Sequence, residues 1–124
     1  MAWALDNDRP IYQQIIEHIK GEIISGKYKA GEKLPSVRDL AMQAAVNPNT
    51  MQKALSELER SSLVYSQRTS GRFITEDESM IRELKTSLAT QHIHTFLATM
   101  KQLGFAESEI LALMQNSINE EEEL

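Results

Sequence analysis

The alternation of apolar and polar positions between residues 34 and 58 predicts two short helices joined by a tight turn. Ser36 suits the N-cap of the first helix, and Asp39 follows three residues later, as in a capping box. The second helix starts at Asn47 and Pro48, because asparagine favours an N-cap and proline is tolerated at the first helical position. The apolar stripe of the first helix consists of Val37, Leu40, Ala41 and Ala44.

The second helix carries two faces of opposite character. One is apolar and faces a core, whereas the other is polar and rich in amide and hydroxyl groups. Asparagine and glutamine can both donate to and accept from an adenine edge in the major groove. The spacing therefore predicts a helix-turn-helix with a recognition helix at 47–56, and a solvated amphipathic helix is the alternative. The apolar positions are Met51, Ala54, Leu55 and Leu58, and the polar ones are Asn49, Gln52, Lys53 and Ser56.

A further helix is predicted ahead of this segment. Pro10 stands at its first helical position, and Gly26 ends it. Residues 27–33 contain glycine and three lysines, which is typical of a loop. The apolar face of the helix consists of Ile11, Ile15, Ile19 and Ile23.

Two short β-prone runs, at 63–67 and 72–75, follow the recognition helix and predict a hairpin. Arg68 and Arg72 flank its tip and suit contact with phosphate or the minor groove. A solvated hairpin explains the two arginines equally well.

Three runs of residues carry a resemblance to a known family: LPSVRDLA at 34–41, VNPNT at 46–50 and AL-x-x-LE at 54–59. From Pro10 to Thr75 the chain resembles the winged helix-turn-helix of the GntR family of bacterial transcription regulators, in particular its YtrA-like branch. The family commonly has glycine at the positions of Ser62 and Thr69, so the wing turn departs from its pattern. The resemblance implies a mostly α fold with a small β-hairpin wing, then a short helical dimerisation tail.

The acidic run at 76–78 marks a boundary between a DNA-binding domain at 1–77 and a helical region at 78–124. One long helix is predicted from Ser79 to about Leu103, and a second from Glu107 to about residue 119. Together the two helices are expected to form an α-helical hairpin.

The apolar stripes of this hairpin are too wide for two helices to bury alone, so a homodimer interface is expected, as the resemblance also implies. The acidic run at 120–123 is expected to form a frayed, solvated tail. The predicted dimerisation residues are Ile81, Leu84, Leu88, Phe96, Leu97, Met100, Leu103, Ile110, Leu111 and Met114.

Charge is distributed unevenly along the chain, whose net charge is −5. Ten basic and eight acidic residues give +2 for residues 1–75, whereas three basic and ten acidic residues give −7 for 76–124. The acidity therefore belongs to the C-terminal third, and a DNA-binding surface needs only local positive potential.

Several classes of chemistry are excluded by composition. The absence of cysteine rules out disulfides and thiolate chemistry. His92 and His94 point to nearly opposite sides of a helix and cannot share a metal, so neither a metal nor a cofactor is expected. No catalytic motif of an enzyme is present. No apolar run is long enough to cross a membrane, so a cytoplasmic location is expected, and the existence of a small-molecule effector stays open.

These observations lead to a hypothesis of a homodimeric, sequence-specific regulator that binds double-stranded operator DNA. The resemblance implies a repressor of a transporter-type operon and a DNA contact by Arg38. The alternative is a winged helix that binds another protein, and basic side chains gathered on one surface would favour DNA. The predicted DNA-binding residues are Ser36, Arg38, Asn47, Asn49, Thr50, Gln52, Lys53, Arg68, Ser70, Gly71 and Arg72.

Overall fold

The computed structural model describes residues 3–123. The two ends of the predicted segments 1–77 and 78–124, residues 1, 2 and 124, lie outside the described residues. The described chain contains five helices and one antiparallel hairpin, which confirms a mostly α fold with a small β-hairpin wing. The elements are α1 (Ile11–Ile24), α2 (Val37–Ala44), α3 (Pro48–Arg60), β1 (Val64–Gln67), β2 (Gly71–Ile74), α4 (Glu78–Gln102) and α5 (Glu107–Glu122).

Side-chain caps start the two helices of the helix-turn-helix as predicted. The Ser36 hydroxyl accepts a hydrogen bond from the Asp39 backbone N–H at 3.1 Å, which is one half of a capping box. The side-chain carbonyl of Asn47 accepts from the Asn49 N–H at 2.7 Å, and the proline that follows Asn47 is the first residue of α3. Pro10 differs from expectation: it is the N-cap of α1, because its ψ of 128° is extended and not helical.

The hydrophobic core forms where α1, α2 and α3 meet the hairpin. The apolar stripe predicted for α3 is buried, and so are the isoleucines at 15, 19 and 23 of α1. Each such side chain contributes about 1.5–3 kcal/mol when it leaves water. Burial of this face fixes the rotation of α3 and turns its polar face outward. The core residues of these elements include Ile15, Ile19, Leu40, Met51, Leu55, Leu58, Val64 and Ile74.

The wing is closed by a tight turn, in which the Ser70 N–H donates to the Gln67 carbonyl at 3.1 Å. Gly71 has a φ of +107°, a region that side chains rarely occupy. Within residues 3–123, the non-glycine residues with positive φ are Ala45 and Ser62. Thr69 therefore occupies the turn without left-handed strain, whereas the other departure from the family's glycines, at Ser62, does lie in that region.

The segment before α2 adds a short third edge to the hairpin. Lys33 pairs with Phe73, the Leu34 N–H donates to the Arg72 carbonyl at 2.9 Å, and the Ile74 N–H donates to the Glu32 carbonyl at 2.8 Å. The sequence predicted only a loop here. This pairing connects the start of α2 directly to the wing.

The contacts divide the chain into two units, one through Leu84 and one from Lys85 onward. The division lies inside α4, because Met80, Ile81 and Leu84 pack against the core of the first unit. The first turns of α4 therefore belong with the winged helix, although the acidic run at 76–78 precedes them.

The acidic residues near the C-terminus are helical. The sequence predicted a frayed tail from Glu120 to Glu123, but α5 continues through Glu122 with its side chains exposed to solvent. Negative charge at a helix C-terminus is unfavourable. These carboxylates are exposed and hydrated, however, so their charge does not end the helix.

Candidate nucleic-acid interface

The outward face of α3 presents a row of polar side chains to solvent. Asn49, Gln52, Lys53 and Ser56 are all exposed, whereas Met51 on the opposite side is fully buried. The Gln52 amide nitrogen lies 3.4 Å from the Ser56 hydroxyl oxygen, a long contact. The amide of Gln52 therefore keeps its capacity for a bidentate pair with a base.

Two predicted contact residues at the start of α3 are less available than those in its middle. Asn47 is exposed, but its side-chain carbonyl is occupied by the cap, which leaves its amide nitrogen as the available group. Thr50 is half-buried one turn along. The start of α3 thus offers fewer free groups than its middle, where Gln52 lies.

Lys53 is held by an aromatic ring from another helix. Its ammonium nitrogen lies 3.8 Å from the centroid of the Tyr12 ring in α1, and Tyr12 is half-buried. Such cation–π contacts are worth about 0.5–1 kcal/mol at exposed sites. In the sequence, Tyr12 adjoins the apolar face of α1, and nothing there marks it as a partner of Lys53. No local signal joins the two residues, because their contact depends on how α1 packs against α3.

One groove joins the start of α2 to the wing. Its volume is about 650 Å³, and four of the predicted DNA-binding residues line it: Ser36, Ser70, Gly71 and the partly buried Arg72. Lys33 also lines it, although its sequence context predicted only a loop. A Cβ added to Gly71 would lie 3.2 Å from the Lys33 Cε, so the lysine stem lies directly against the wing turn.

The predicted arginines have different surroundings. Arg38 and Arg68 are exposed, and neither forms a salt bridge with a carboxylate in the part of the chain that the structure describes. Arg72, by contrast, donates from Nε to the Glu59 carboxylate at 2.5 Å, and only 18% of its side chain is exposed. The structure therefore separates two free guanidinium groups from one that is already paired.

The Glu59 carboxylate also accepts a hydrogen bond from the Ser66 hydroxyl. Partial burial raises the pKa of the Glu59 carboxyl, but the hydrogen bonds from Ser66 and Arg72, with the attraction of the guanidinium, outweigh it. The pKa of Glu59 consequently lies below its ordinary value. Glu59 carries a full negative charge at neutral pH and neutralises Arg72.

The histidines are not gathered into a site. His18 stacks on the Trp3 ring with centroids 3.8 Å apart and lies beside Glu22, while His92 and His94 are exposed on α4. Over residues 3–123 no three acidic or histidine side chains stand together as metal ligands. Across the same residues, no helix has the length and apolar character needed to cross a membrane.

Three of the predicted dimerisation residues are packed within the chain itself. Ile81 and Leu84 pack against the core of the first unit, and Ile110 is only 1% exposed. Packing inside the chain therefore accounts for these three. Helical spacing had identified them as apolar without showing what they contact.

The remaining apolar residues leave a large surface open on the second unit. Leu103 and Leu111 are each 67% exposed, and Leu88, Leu97 and Met100 are half-buried. Phe96 and Met114 border an apolar groove of about 380 Å³, together with Ile93, Leu113 and Ile118.

Residues 11–74 match the family model described as "Bacterial regulatory proteins, gntR family". The chain is 40% identical over 105 residues to the HTH-type transcriptional regulator YhcF of Bacillus subtilis (strain 168), covering 85% of this chain and 87% of that protein. It is also 40% identical over 94 residues to the HTH-type transcriptional repressor YtrA of the same organism, covering 76% and 68%. These relatives are transcriptional regulators and not enzymes, which confirms the expectation of a non-enzyme.

Solved structures show the same relationship. A GntR family transcriptional regulator from Listeria monocytogenes superposes with a TM-score of 0.86 at 40% identity, covering 90% of this chain and 98% of that one. The DNA-binding domain of AraR, in a complex with operator ORX1, superposes with a TM-score of 0.52 at 30% identity, covering 60% and 92%.

Proposed function

The chain belongs to the GntR family of bacterial regulatory proteins, and we propose that it is a homodimeric repressor that reads operator DNA with the exposed face of α3. One observation carries the proposal: a helix buried along Met51 and Leu55 presents Asn49, Gln52 and Lys53 outward. An amide-rich face of this kind suits base edges in the major groove.

Each part of the first unit has a role in this mechanism. Gln52 pairs with a base edge, and Lys53 contacts phosphate as a point charge. Arg38, exposed at the start of α2, clamps a phosphate or reaches a guanine edge. Arg68, exposed in the wing turn, contacts the adjacent backbone or minor groove. Phosphate contacts fix the register, and base contacts supply specificity.

Dimerisation is proposed through the second unit. Exposed apolar side chains on both α4 and α5, including Phe96, Leu111 and Met114, form a patch that water-exposed monomers rarely keep. A two-fold dimer would present its two recognition helices to half-sites about 10 bp apart.

Repression would follow when the dimer occludes a promoter in the cytoplasm. The relative YtrA is named as a transcriptional repressor. Regulation of a transporter-type operon is proposed only from the family resemblance of the sequence. A small-molecule effector is not needed for this step.

The test is a titration of the DNA upstream of the gene against a scrambled fragment of equal length. The parent protein should bind the upstream fragment at least about a thousandfold more tightly. Arg38→Ala should lower this affinity more than any other single change in the α2–α3 pair. Arg82→Ala, which removes an exposed arginine of α4 with no assigned contact, is the matched control and should bind like the parent. Equal affinity for both fragments would instead support a winged helix that binds protein.

A further inference from the structure

The last turn of α3 and both strands of the wing meet at one carboxylate. Glu59 accepts a hydrogen bond from the Ser66 hydroxyl of β1 and another from the Arg72 Nε of β2, each at 2.5 Å. Ser66 and Arg72 are paired directly across the hairpin. One oxygen of Glu59 thus joins the recognition helix to both strands.

This contact is shielded enough to act as a structural link. Only 18% of the Arg72 side chain and 30% of the Glu59 side chain are exposed. Pairs in such surroundings are screened less by salt than exposed pairs. Val64 and Ile74 hold the base of the hairpin in the core, and Tyr65 stacks on Phe73, with ring centroids 5.7 Å apart. The Glu59 contact adds a polar link to α3 nearer the tip of the wing.

We propose that Glu59 is the positioning residue of the wing, and that Arg72 serves this link instead of binding a DNA phosphate. The inference rests on the proposed function, since it concerns how the wing is presented to operator DNA. It reverses the role that sequence position alone gives to Arg72, and it leaves Arg68 as the cation of the wing turn.

The two roles for Arg72 predict opposite effects of changing Glu59. If Arg72 bound phosphate, removing the competing carboxylate would release it, and removing a negative charge near DNA would strengthen binding. If Glu59 positions the wing, the same change lets the wing move and weakens binding. The sign of the change in affinity therefore separates the two roles.

The experiment compares Glu59→Gln with Glu57→Gln in operator binding. Glu57 is the matched control, because it lies on the same helix and its carboxylate forms a local ion pair with Arg60 at 3.2 Å. Glu59→Gln should lower operator affinity roughly tenfold, the scale of one or two lost DNA contacts, whereas Glu57→Gln should leave it unchanged or raise it. Hydroxyl-radical footprinting should show lost protection at the flanking wing contact, while methylation protection of the major groove remains.

A second pair of variants guards against a simple loss of folding. The first variant is Arg72→Gln, and the second is the double variant Glu59→Gln/Arg72→Gln. Both should bind operator DNA no more weakly than Glu59→Gln alone, because all three proteins lose the same contact between α3 and the wing. Thermal melts followed by circular dichroism check that each is folded at the assay temperature. Equal or tighter binding by Glu59→Gln, with the parent binding its operator, would overturn the positioning role alone. A parent that does not bind the upstream DNA would overturn the proposed function, and this inference with it.

Discussion

The ammonium nitrogen of Lys53 lies 3.8 Å from the centroid of the Tyr12 ring, so a cation on the recognition helix is held by a neighbouring helix. This contact limits the rotamers of a long, flexible side chain before DNA arrives. A pre-positioned ammonium group contacts phosphate at a smaller cost in conformational entropy.

Tyr12→Leu should therefore weaken binding to every DNA sequence alike, by about two- to fivefold, in line with the loss of one exposed cation–π contact. Tyr12→Phe keeps the ring face and should bind like the parent. Lys53→Ala should lower the affinity further and reduce the slope of log affinity against log salt by about one per subunit. Fluorescence anisotropy at four salt concentrations measures the affinity and its salt slope. A Tyr12→Leu protein with parental affinity would show that the Tyr12 ring does not help Lys53 to bind DNA.

The end of α2 carries a backbone conformation that its residue does not favour. Ala45 has a φ of +59°, in the left-handed region that costs an ordinary residue about 1–2 kcal/mol. Ala45→Gly relieves this cost, and after the entropy of glycine is subtracted it should raise the free energy of unfolding by about 0.5–1 kcal/mol. Urea denaturation measures the change.

A glycine placed two residues earlier is the control for that measurement. Gln43 is exposed inside α2, so Gln43→Gly should lower the free energy of unfolding by up to about 1 kcal/mol. Two changes of the same sign would show that left-handed strain at Ala45 does not decide the outcome.

Two truncations separate folding from dimerisation. A chain ending at Leu84 keeps the apolar residues of α4 that pack on the first unit, so it should fold and sediment as a monomer. A chain ending at Glu78 also loses Met80, Ile81 and Leu84 from that packing and should melt at a lower temperature. A full-length chain that sediments as a monomer at micromolar concentration, or a dimer of the chain ending at Leu84, would contradict dimerisation through the second unit.

The elements that sequence reasoning predicted well are those set by local chemistry. The caps at Ser36 and Asn47 form because each side chain contacts a backbone N–H two or three residues away. The buried stripe of α3 follows from helical spacing, which does not depend on the rest of the fold. These features determine which face of the recognition helix is exposed.

The features that could not be predicted join residues far apart in the chain. The pairing of Lys33 with Phe73 and the ion pair of Arg72 with Glu59 exist only once the wing has packed against α3. Arg68 and Arg72 look alike in the sequence, because both are arginines that flank the tip of the predicted hairpin. Their burial, which only the fold decides, makes their roles different.

The base preference of Gln52→Ala tests most directly whether the exposed face of α3 reads DNA sequence. Binding is measured for the parent and the variant on a set of operators that differ from the upstream sequence by single base pairs. Gln91→Ala, an exposed glutamine of α4, serves as the control. Gln52→Ala should lose about 1–3 kcal/mol of discrimination at one base pair per half-site, with an unchanged salt dependence. A Gln52→Ala protein that keeps the parental preference at every position would contradict it.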